Sequence, residues 1–328
     1  MVFTPTYLAL YRSGELKRRI DQLNSRLLNC DICPRTCGIN RFESNQGFCR
    51  SGRLASVSSY CDHHGEEPAL SGTRGSGTIF FSRCNLRCIY CQNHQISQGK
   101  DCSAREMDSR RLSGIMLHLQ NDLGCHNINL VSPSHFIPQI VEAVHQAAQD
   151  GLRIPLVYNT NAYDSVHTLR MLDGVIDIYL PDIKYSSDKL ARRFSHSKGY
   201  VTASRSAITE MYRQVGNLVT DESGIAQRGL IVRHLILPNN VAGSFQSLRW
   251  LADNISRDVT VSIMSQYYPG HNAFLEPLLA RKITSEEYNS VVTCVEEIGL
   301  ENGWLQQLDA AENYLPDFRR EGHPFSVI

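Results

Sequence analysis

The sequence predicts an α/β protein built as a partial (β/α)6 barrel with a cysteine-rich N-terminal extension. About six short apolar segments alternate with helix-like segments between residues 77 and 301, which is typical of a parallel sheet. Polar residues follow nearly every predicted strand, and the carboxyl ends of barrel strands are where active sites form. No Gly-x-Gly-x-x-Gly motif follows the first strand, which disfavours a dinucleotide-binding open sheet.

The composition is that of a globular protein with one unusual count. The 328 residues include 33 Lys and Arg and 33 Asp and Glu, so the net charge is zero, and we expect no nucleic-acid partner. A hydrophobic fraction of 42% excludes global disorder. The eleven cysteines are an odd number and too sparse for a disulfide scaffold.

The sequence carries no recognisable export signal and no apolar stretch of the ~18–20 residues that a membrane helix needs. We therefore expect a cytoplasmic protein with no membrane partner. Thiols stay reduced in that compartment, so clustered cysteines indicate a metal more often than a disulfide.

Residues 1–75 are predicted to form the N-terminal extension. An amphipathic helix near 12–27 presents an apolar stripe of Leu16, Ile20, Leu23 and Leu27. Residues 38–75 are rich in Gly and Ser, and we expect loops and short strands there. Four closely spaced thiols form a complete ligand set for structural zinc or, alternatively, for an auxiliary iron–sulfur cluster: Cys30, Cys33, Cys37 and Cys49.

Residues 76–328 are predicted to form the partial barrel with a C-terminal helix and tail. The predicted strands lie at 78–81, 128–131, 154–158, 175–183, 230–237 and 259–264. The predicted helices lie at 106–122, 137–149, 164–172, from about 186, at 204–217, 243–254 and 284–301.

Three further cysteines, Cys84, Cys88 and Cys91, share one eight-residue loop after the first strand of the barrel. Structural zinc needs four ligands, and an iron–sulfur cluster usually takes four cysteines. Three thiolates would leave one corner of a cluster open to a ligand that is not protein. The alternative is a zinc site completed by His94 or Cys61.

The Cys84-x3-Cys88-x2-Cys91 spacing, with aromatic Tyr90 before the last cysteine, resembles the radical S-adenosylmethionine (SAM) enzymes. The resemblance implies a [4Fe–4S] cluster on the three cysteines, with SAM chelated at the open iron and Tyr90 beside the cofactors. Reductive cleavage of SAM would yield methionine and a 5′-deoxyadenosyl radical that removes a hydrogen atom from the substrate.

Two strand-end motifs, Asn159-Thr160-Asn161 and Asp182-Ile183-Lys184, resemble those of the pyruvate formate-lyase activating enzymes. The resemblance implies that Asp182 and Lys184 contact SAM and that a monovalent cation lies beside Asn159, Thr160 and the Leu180 carbonyl. Independently of the family, Lys184 is suited to neutralise the SAM carboxylate and Asp182 to accept from ribose or amino groups. The alternative is an ion pair on the surface.

The sequence departs from the superfamily at two places. After the second strand, Val131-Ser132-Pro133-Ser134-His135 replaces a Gly-Gly-Glu motif, so we expect Ser132 and Ser134 to hold the SAM amine. His135 is expected to face the substrate or to cap the following helix. Arg83 stands before Cys84, where a glycine is usual.

Other candidate residues come from single positions in the pattern. Gln266 lies just past the last strand, with Tyr267 and Tyr268, at the expected rim of the site. Glu66 and Glu67 are candidates for acid–base or substrate-binding groups, or form a solvated pair. His234, inside an apolar strand, is expected to be a buried core residue.

A narrower resemblance covers nearly the whole chain. The segments Cys30-x2-Cys33-Pro-Arg-x-Cys37-Gly, His64-Gly65-Glu66-Glu67-Pro68 and Met264-Ser265-Gln266 are similar to a branch named after pyruvate formate-lyase activating enzymes. This resemblance implies a radical SAM oxidoreductase with an electron donor such as flavodoxin or ferredoxin. Its substrate is either a protein glycine, in a glycyl radical enzyme, or another molecule, because the name of the branch does not establish the substrate. The rival hypothesis is a metal-stabilised binding protein, with zinc or iron–sulfur and no turnover.

Overall fold

The computed structural model describes residues 3–99, 104–308, 316–318, 320 and 323–325. Within them, the strands are β1 (Ala55–His63), β2 (Ser76–Phe81), β3 (Arg105–Met107), β4 (Ile128–Val131), β5 (Leu156–Thr160), β6 (Ile178–Pro181), β7 (Val219–Thr220), β8 (Ala226–Leu235), β9 (Thr260–Met264) and β10 (Gly303–Leu305). The α-helices are α1 (Tyr7–Arg12), α2 (Glu15–Ser25), α3 (Pro68–Ser71), α4 (His94–Ser97), α5 (Ser109–Asn121), α6 (Ile137–Gln149), α7 (Val166–Arg170), α8 (Asp188–Ser195), α9 (Tyr200–Val215), α10 (Ser244–Asn254) and α11 (Ser285–Ile298). Two 3₁₀ turns lie at Pro238–Asn240 and Ala273–Leu275.

The strands form one mostly parallel sheet in the order β10-β9-β8-β6-β5-β4-β2-β1-β3, with β7 paired to β8. The six strands β2, β4, β5, β6, β8 and β9 are parallel neighbours. Taken in their order along the chain, each of these six strands pairs with the next one, which is the order found in (β/α) barrels. The predicted α/β class and its six-strand parallel sheet are confirmed.

The sheet continues into the predicted N-terminal extension. Strand β1 pairs antiparallel with β2, from Val57 opposite Phe81 to His63 opposite Ser76, and β3 pairs with β1. The sheet therefore crosses the predicted boundary at residue 75. The sequence predicted only short strands in this region because the serine-rich segment of β1 hides the alternation of apolar and polar side chains.

The amphipathic segment near 12–27 forms helix α2 (Glu15–Ser25), and a separate short helix, α1 (Tyr7–Arg12), precedes it. Gly14 adopts a positive φ of 79° between α1 and α2, a conformation that ends a helix. The stripe is buried as predicted, because Leu16, Leu23 and Leu27 are almost inaccessible to solvent in the core cluster that also holds α6 side chains. This packing fixes the residues that precede Cys30.

Two helix ends differ from the prediction for local reasons. Helix α11 begins with a capping box between Thr284 and Glu287 and ends before Gly299, whose φ of 76° makes it a left-handed C-cap. The predicted helix at 204–217 begins earlier, after Gly199 with φ of 61°. In the part of the chain that the structure describes, no helix is both long and apolar enough to cross a membrane.

Candidate cofactor site at the carboxyl ends of the strands

A cavity of about 640 Å³ opens at the carboxyl ends of the parallel strands. Its size falls in the range of small-molecule sites. The residues that the sequence predicted to meet there and that do line it are Cys84, Cys88, Tyr90, Cys91, Ser132, Asn159, Thr160, Asn161, Asp182, Lys184 and Gln266. They come from the ends of β2, β4, β5, β6 and β9 because these ends share one edge of a parallel sheet.

The three cysteines of the loop after β2 face this cavity, and each sulfur lies near a hydrogen-bond donor. The contacts are Leu86 N to Cys84 Sγ at 3.4 Å, Asn161 Nδ2 to Cys84 Sγ at 3.4 Å, Ser195 Oγ to Cys88 Sγ at 3.0 Å, and Ser97 Oγ beside Cys91 Sγ at 3.3 Å. Hydrogen bonds to sulfur orient ligands and set the potential of iron–sulfur clusters. The loop therefore fits a cluster, although these donors were not apparent from the sequence.

Neither of the two residues proposed as the fourth ligand of a zinc site lines the cavity with the three thiols. Cys61 lies in β1 and packs with Phe80 and Ile96. His94 stacks on His271, with ring centroids 4.8 Å apart, and neither Cys61 nor His94 lines the cavity. Within the described residues, no group of three or more His, Cys, Asp or Glu side chains is arranged to hold a single metal ion. Three thiols without a protein fourth match a cluster that keeps one iron for another ligand.

Burial raises the pKa of Cys84 to about 12 and that of Cys91 to about 11. Burial also raises the pKa of Cys88. These thiols are therefore protonated at neutral pH in the metal-free chain, and metal binding must release their protons because the ligands are thiolates.

Arg83 shows how the loop begins without the usual glycine. Its φ is 69°, in the left-handed region that glycine favours. Its backbone N–H donates to the Ile96 carbonyl at 2.8 Å. The chain thus keeps a glycine-like turn before Cys84 with an arginine in place.

Asp182 and Lys184 lie inside the cavity and not on the outer surface. Lys184 Nζ donates to Asp182 Oδ2 at 2.6 Å, and both side chains are only partly exposed. Burial acts to lower the pKa of Lys184, but Asp182 and the nearby Cys88 outweigh it and the pKa is raised. Lys184 is therefore a cation beside the three thiols.

Tyr200 was not predicted, yet it joins two of the predicted motifs. Its hydroxyl lies 2.9 Å from the carbonyl oxygens of Asn161 and Asp182 and accepts from the Lys184 backbone N–H at 3.0 Å. The residue comes from the start of α9, far along the chain, so no local pattern marks it. It holds the ends of β5 and β6 together.

His234 supports the segment just after β6 from the buried side of β8, away from the cavity. Successive side chains of β8 alternate, so Arg233 and Leu235 line the cavity and His234 is fully buried on the other face. Its Nδ1 lies 2.8 Å from the Ile183 carbonyl, and its Nε2 lies 2.8 Å from Ser244 Oγ. Because a carbonyl only accepts, Nδ1 carries the proton. His234 is the hydrogen-bonded core histidine that the sequence predicted.

The polar groups after β4 and β5 divide between the cavity and a network beneath it. Ser132 lines the cavity with a φ of 59°. Ser134 does not line it; its hydroxyl bonds with Thr160 Oγ1 at 3.1 Å, and Thr160 donates to the buried Asp164 at 2.6 Å. A SAM amine at Ser134 would thus meet an oxygen already engaged, whereas Ser132 stays suited to that role. Leu180 is fully buried and does not line the cavity.

Glu66 and Glu67 form a buried ion cluster with Arg233 on the cavity wall. Arg233 donates to Glu67 from Nε at 2.7 Å and from Nη2 at 2.6 Å, and it also contacts Glu66. Asn129 Nδ2 donates to Glu66 Oε1 at 2.8 Å. Burial acts to raise the pKa of Glu67, but Arg233 outweighs it and the pKa is lowered. The pair is therefore not solvated, and Glu67 is a poor general acid.

Of Gln266 and Tyr267, both predicted at the rim of the site, only Gln266 lines the cavity. Gln266 lines the cavity, where its side-chain oxygen accepts from Gln306 at 2.9 Å and its carbonyl accepts from Gln92 at 2.8 Å. Tyr267 is buried beneath the rim, donates to the Leu279 carbonyl at 2.7 Å and packs edge-on against Tyr90. Tyr267 thus supports the cavity floor instead of lining a channel.

The four N-terminal cysteines lie around a separate cavity of about 10 Å³. His135 lines this smaller cavity and not the larger one, so it neither faces a substrate beside Ser132 nor caps α6, whose N-cap is Phe136. The two groups of cysteines therefore line two separate cavities.

Comparisons with known proteins show which sequences and structures this chain is similar to. "Uncharacterized protein MJ0674" of Methanocaldococcus jannaschii is 29% identical over 281 residues, which cover 83% of this chain and 76% of the relative.

Solved structures with similar folds include methylornithine synthase (PylB), at 16% identity and a TM-score of 0.44, and the FeFe-hydrogenase maturase HydG from Carboxydothermus hydrogenoformans, at 14% and 0.44. The alignments cover 67% and 66% of this chain but only 61% and 49% of those structures, less than two thirds of either. A radical SAM methyltransferase from Sphaerobacter thermophilus aligns at 13% identity and a TM-score of 0.44, over 70% of this chain and 65% of that one.

The most direct match covers the three-cysteine loop and the strand ends around it. Residues 78–223 match the sequence profile of the Radical SAM superfamily. Such a domain implies a [4Fe–4S] cluster and SAM as cofactors, in agreement with three thiols around one cavity. The part of the chain that carries Cys84, Cys88 and Cys91 is thus similar in sequence to the Radical SAM superfamily.

Proposed function

We propose that this enzyme binds its cluster at Cys84, Cys88 and Cys91 and its SAM beside Asp182 and Lys184, and that it abstracts a hydrogen atom from a protein glycine. The observation that carries the placement is that the three thiols and the Asp182–Lys184 pair line one cavity. When bound, the cofactors supply reductive cleavage of the SAM sulfonium and a 5′-deoxyadenosyl radical.

The residues of the chain bind and orient these groups. Lys184 is placed to neutralise a carboxylate, and Asp182 to accept from an amine or hydroxyl. Asn161 contacts Cys84 Sγ and also donates to Asn85 Oδ1 at 2.8 Å, so it fixes the loop relative to β5. Ser132 provides a hydroxyl at the end of β4, where we place the SAM amine, and its backbone N–H donates to the Asn159 carbonyl at 2.9 Å.

The substrate assignment rests on the resemblance of the motifs to pyruvate formate-lyase activating enzymes. On this proposal the protein partner is a glycyl radical enzyme whose glycine loop enters the cavity near Glu66, Glu67 and Arg233. A buried, charged wall is suited to hold the polar backbone of such a loop. Electron paramagnetic resonance (EPR) of a candidate glycyl radical enzyme after anaerobic incubation should show a glycyl radical signal.

Three accessory roles complete the proposal. An electron carrier such as flavodoxin or ferredoxin delivers the electron that each turnover consumes. A monovalent cation binds beside Asn159 and Thr160. The four cysteines of the N-terminal segment hold a second metal centre, as zinc or as an iron–sulfur cluster.

The test of SAM cleavage uses protein reconstituted anaerobically with iron and sulfide and reduced with dithionite. We expect release of methionine and 5′-deoxyadenosine, and no release from the Cys84→Ala, Cys88→Ala or Cys91→Ala variants. Cys294→Ala is the matched control, because Cys294 lies in α11 and does not line the cavity. A fully loaded cluster that releases neither product would contradict the proposal, and zinc in both cysteine groups without iron would favour the metal-stabilised binding protein.

A further inference from the structure

Two neighbouring side chains of the second 3₁₀ turn, Phe274 and Leu275, are exposed to solvent although both are apolar. Their exposed fractions, 59% and 70%, are the largest among the large hydrophobic side chains of the described residues. Ala273, which precedes them, is fully buried in the cluster that also holds Cys88 and Tyr90. The turn is therefore anchored at its base, and it presents to solvent an apolar pair of the kind that marks interaction sites.

This apolar pair lies beside the loop that carries the three cysteines. The backbone N–H of Asn272 donates to the Ile89 carbonyl at 2.9 Å, and the Ile89 N–H donates to the Phe194 carbonyl at 2.8 Å. Ile89 stands between Cys88 and Cys91 and is only partly buried. Neither Ile89 nor the 3₁₀ turn lines the larger cavity. The cysteine loop thus faces the cavity on one side and this turn on another.

The same stretch of the loop carries cations that lack a carboxylate partner. The backbone N–H of Arg87 donates to the Ser195 carbonyl at 3.4 Å, and Arg35 donates to the His196 carbonyl at 2.6 Å. Within the described residues, no ion pair includes Arg35, Arg87 or the exposed Arg50. Burial and the charges of Arg50 and Arg35 lower the pKa of Arg87, so the three like charges lie close together. An anionic partner would relieve their repulsion.

The size, charge and position of this surface fit a protein that carries electrons. Complexes that transfer electrons have small interfaces, and opposite charges speed the encounter of the two proteins. Electron transfer slows steeply with distance, so a donor has to approach the cysteine loop, and Ile89 is where this surface reaches it. A protein substrate has to reach the larger cavity instead, which neither Phe274 nor Leu275 lines.

We propose that Ile89, Phe274 and Leu275, with Arg50 and Arg87 at their edge, form the docking surface for an acidic protein that carries single electrons. This inference rests on the proposed function, because such a donor has a role only where SAM is cleaved reductively. In each event the donor loses one electron and the cluster at the three thiols gains it. That electron then enters the SAM sulfonium, whose carbon–sulfur bond breaks to give methionine and the 5′-deoxyadenosyl radical.

The test compares reductants of different size. Dithionite is a small ion that needs no docking surface, whereas reduced flavodoxin and reduced ferredoxin are acidic proteins that have to bind. Phe274→Ser/Leu275→Ser should cleave SAM at the wild-type rate with dithionite but about tenfold more slowly with a limiting protein donor, because apolar anchors dominate binding at such surfaces. Leu123→Ser/Val219→Ser is the matched control, since both side chains are exposed and lie in segments that precede β4 and β8. It should respond like wild type to every reductant.

A second measurement tests the charges without turnover. Isothermal titration calorimetry measures the binding of oxidised flavodoxin and of oxidised ferredoxin to the reconstituted enzyme. Binding of at least one of them should weaken as NaCl is added and weaken in Arg50→Glu, whereas Arg111→Glu, at an exposed position of α5, should bind like wild type.

The outcomes separate this inference from the proposed function. Equal rates with the protein donors in the two double variants, or equal binding by Arg50→Glu and Arg111→Glu, would overturn the docking surface even where dithionite supports SAM cleavage. Failure of the fully loaded wild type to cleave SAM with dithionite would count against the proposed function, and the binding measurement then decides the docking surface alone.

Discussion

Arg35 and Arg87 connect the two groups of cysteines in opposite directions. Arg35, between Cys33 and Cys37, donates to the Asn85 carbonyl at 2.9 Å, and Arg87, between Cys84 and Cys88, donates to the Phe48 carbonyl at 2.6 Å. Both guanidinium groups also lie over the Phe48 ring, 3.5 Å and 4.4 Å from its centroid. The two groups of cysteines are therefore structurally connected, although their cavities are separate.

This coupling predicts that a change in one loop disturbs the other. Arg35→Lys keeps the charge but loses the planar group that both stacks and donates. We expect slower SAM cleavage, with the iron content of the first cluster retained and its EPR signal shifted. Arg26→Lys is a suitable control, because Arg26 lies in the same segment and pairs with Asp31 away from both cavities. Equal spectra for the two variants would exclude the coupling.

Lys184 should determine the affinity for SAM. Lys184→Gln removes the cation and leaves the three thiols, so the cluster should still assemble. A charge-assisted hydrogen bond contributes about 1.5–3 kcal/mol, which corresponds to roughly a 10–100-fold weaker SAM affinity. Anaerobic equilibrium binding of SAM measures this, and Lys189→Gln, at an exposed position of α8, should bind like wild type. Unaltered affinity in Lys184→Gln would place the SAM carboxylate elsewhere.

Tyr200 should hold the SAM-facing strand ends in place without touching the thiols. Tyr200→Phe leaves two carbonyls and one backbone N–H without their shared hydroxyl, so we expect a loss of about 1–3 kcal/mol in the free energy of unfolding. SAM affinity should fall as well, because Asp182 and Lys184 lose their support. Tyr212→Phe, on the same helix, serves as the control for urea unfolding and for SAM binding. A stable variant with weak SAM binding would mean that Tyr200 acts on the cofactor directly.

The burial of His234 predicts a defined acid sensitivity. Burial lowers its pKa to about 4, whereas an unfolded histidine titrates near 6.5. As the pH falls from about 6.5 to about 4, the unfolded chain takes up a proton that the folded chain excludes, so stability falls. His234→Gln should remove this contribution, about 1.4 kcal/mol per pH unit within that window. Urea unfolding at several pH values gives the free energy of unfolding of wild type and of His234→Gln as a function of pH. Equal slopes for the two proteins would show that His234 titrates normally in the folded protein.

The buried cluster of Glu67 and Arg233 should show strong thermodynamic coupling. Removing one partner of a buried ion pair costs about 3–5 kcal/mol because the other charge stays buried. We expect Glu67→Gln and Arg233→Met each to destabilise the protein, and the double variant to be more stable than the sum of the two changes predicts. A double-mutant cycle in urea measures the difference. Additive effects would show that the two groups are solvated independently.

Periodicity and spacing made much of this architecture predictable. Helix α6 was predicted with the bounds that the structure has, because its apolar face repeats at helical spacing and Pro138 lies in its first turn. The three-cysteine loop was predictable because its ligands lie within eight residues. The full length of strand β1 was not predicted, because its side chains alternate too weakly, and the helix predicted near 12–27 begins only at Glu15, after Gly14.

The sequence by itself determined the alternation of strands and helices, the two groups of thiols and the polar residues that follow the strands, since all of these depend on neighbours along the chain. Only the tertiary structure decided that Ser132 faces the cavity and Ser134 does not. It also revealed the roles of Tyr200 and Arg233 and placed His135 beside the second group of thiols. These depend on contacts between residues distant in sequence, whose partners are set by the register and packing of the sheet.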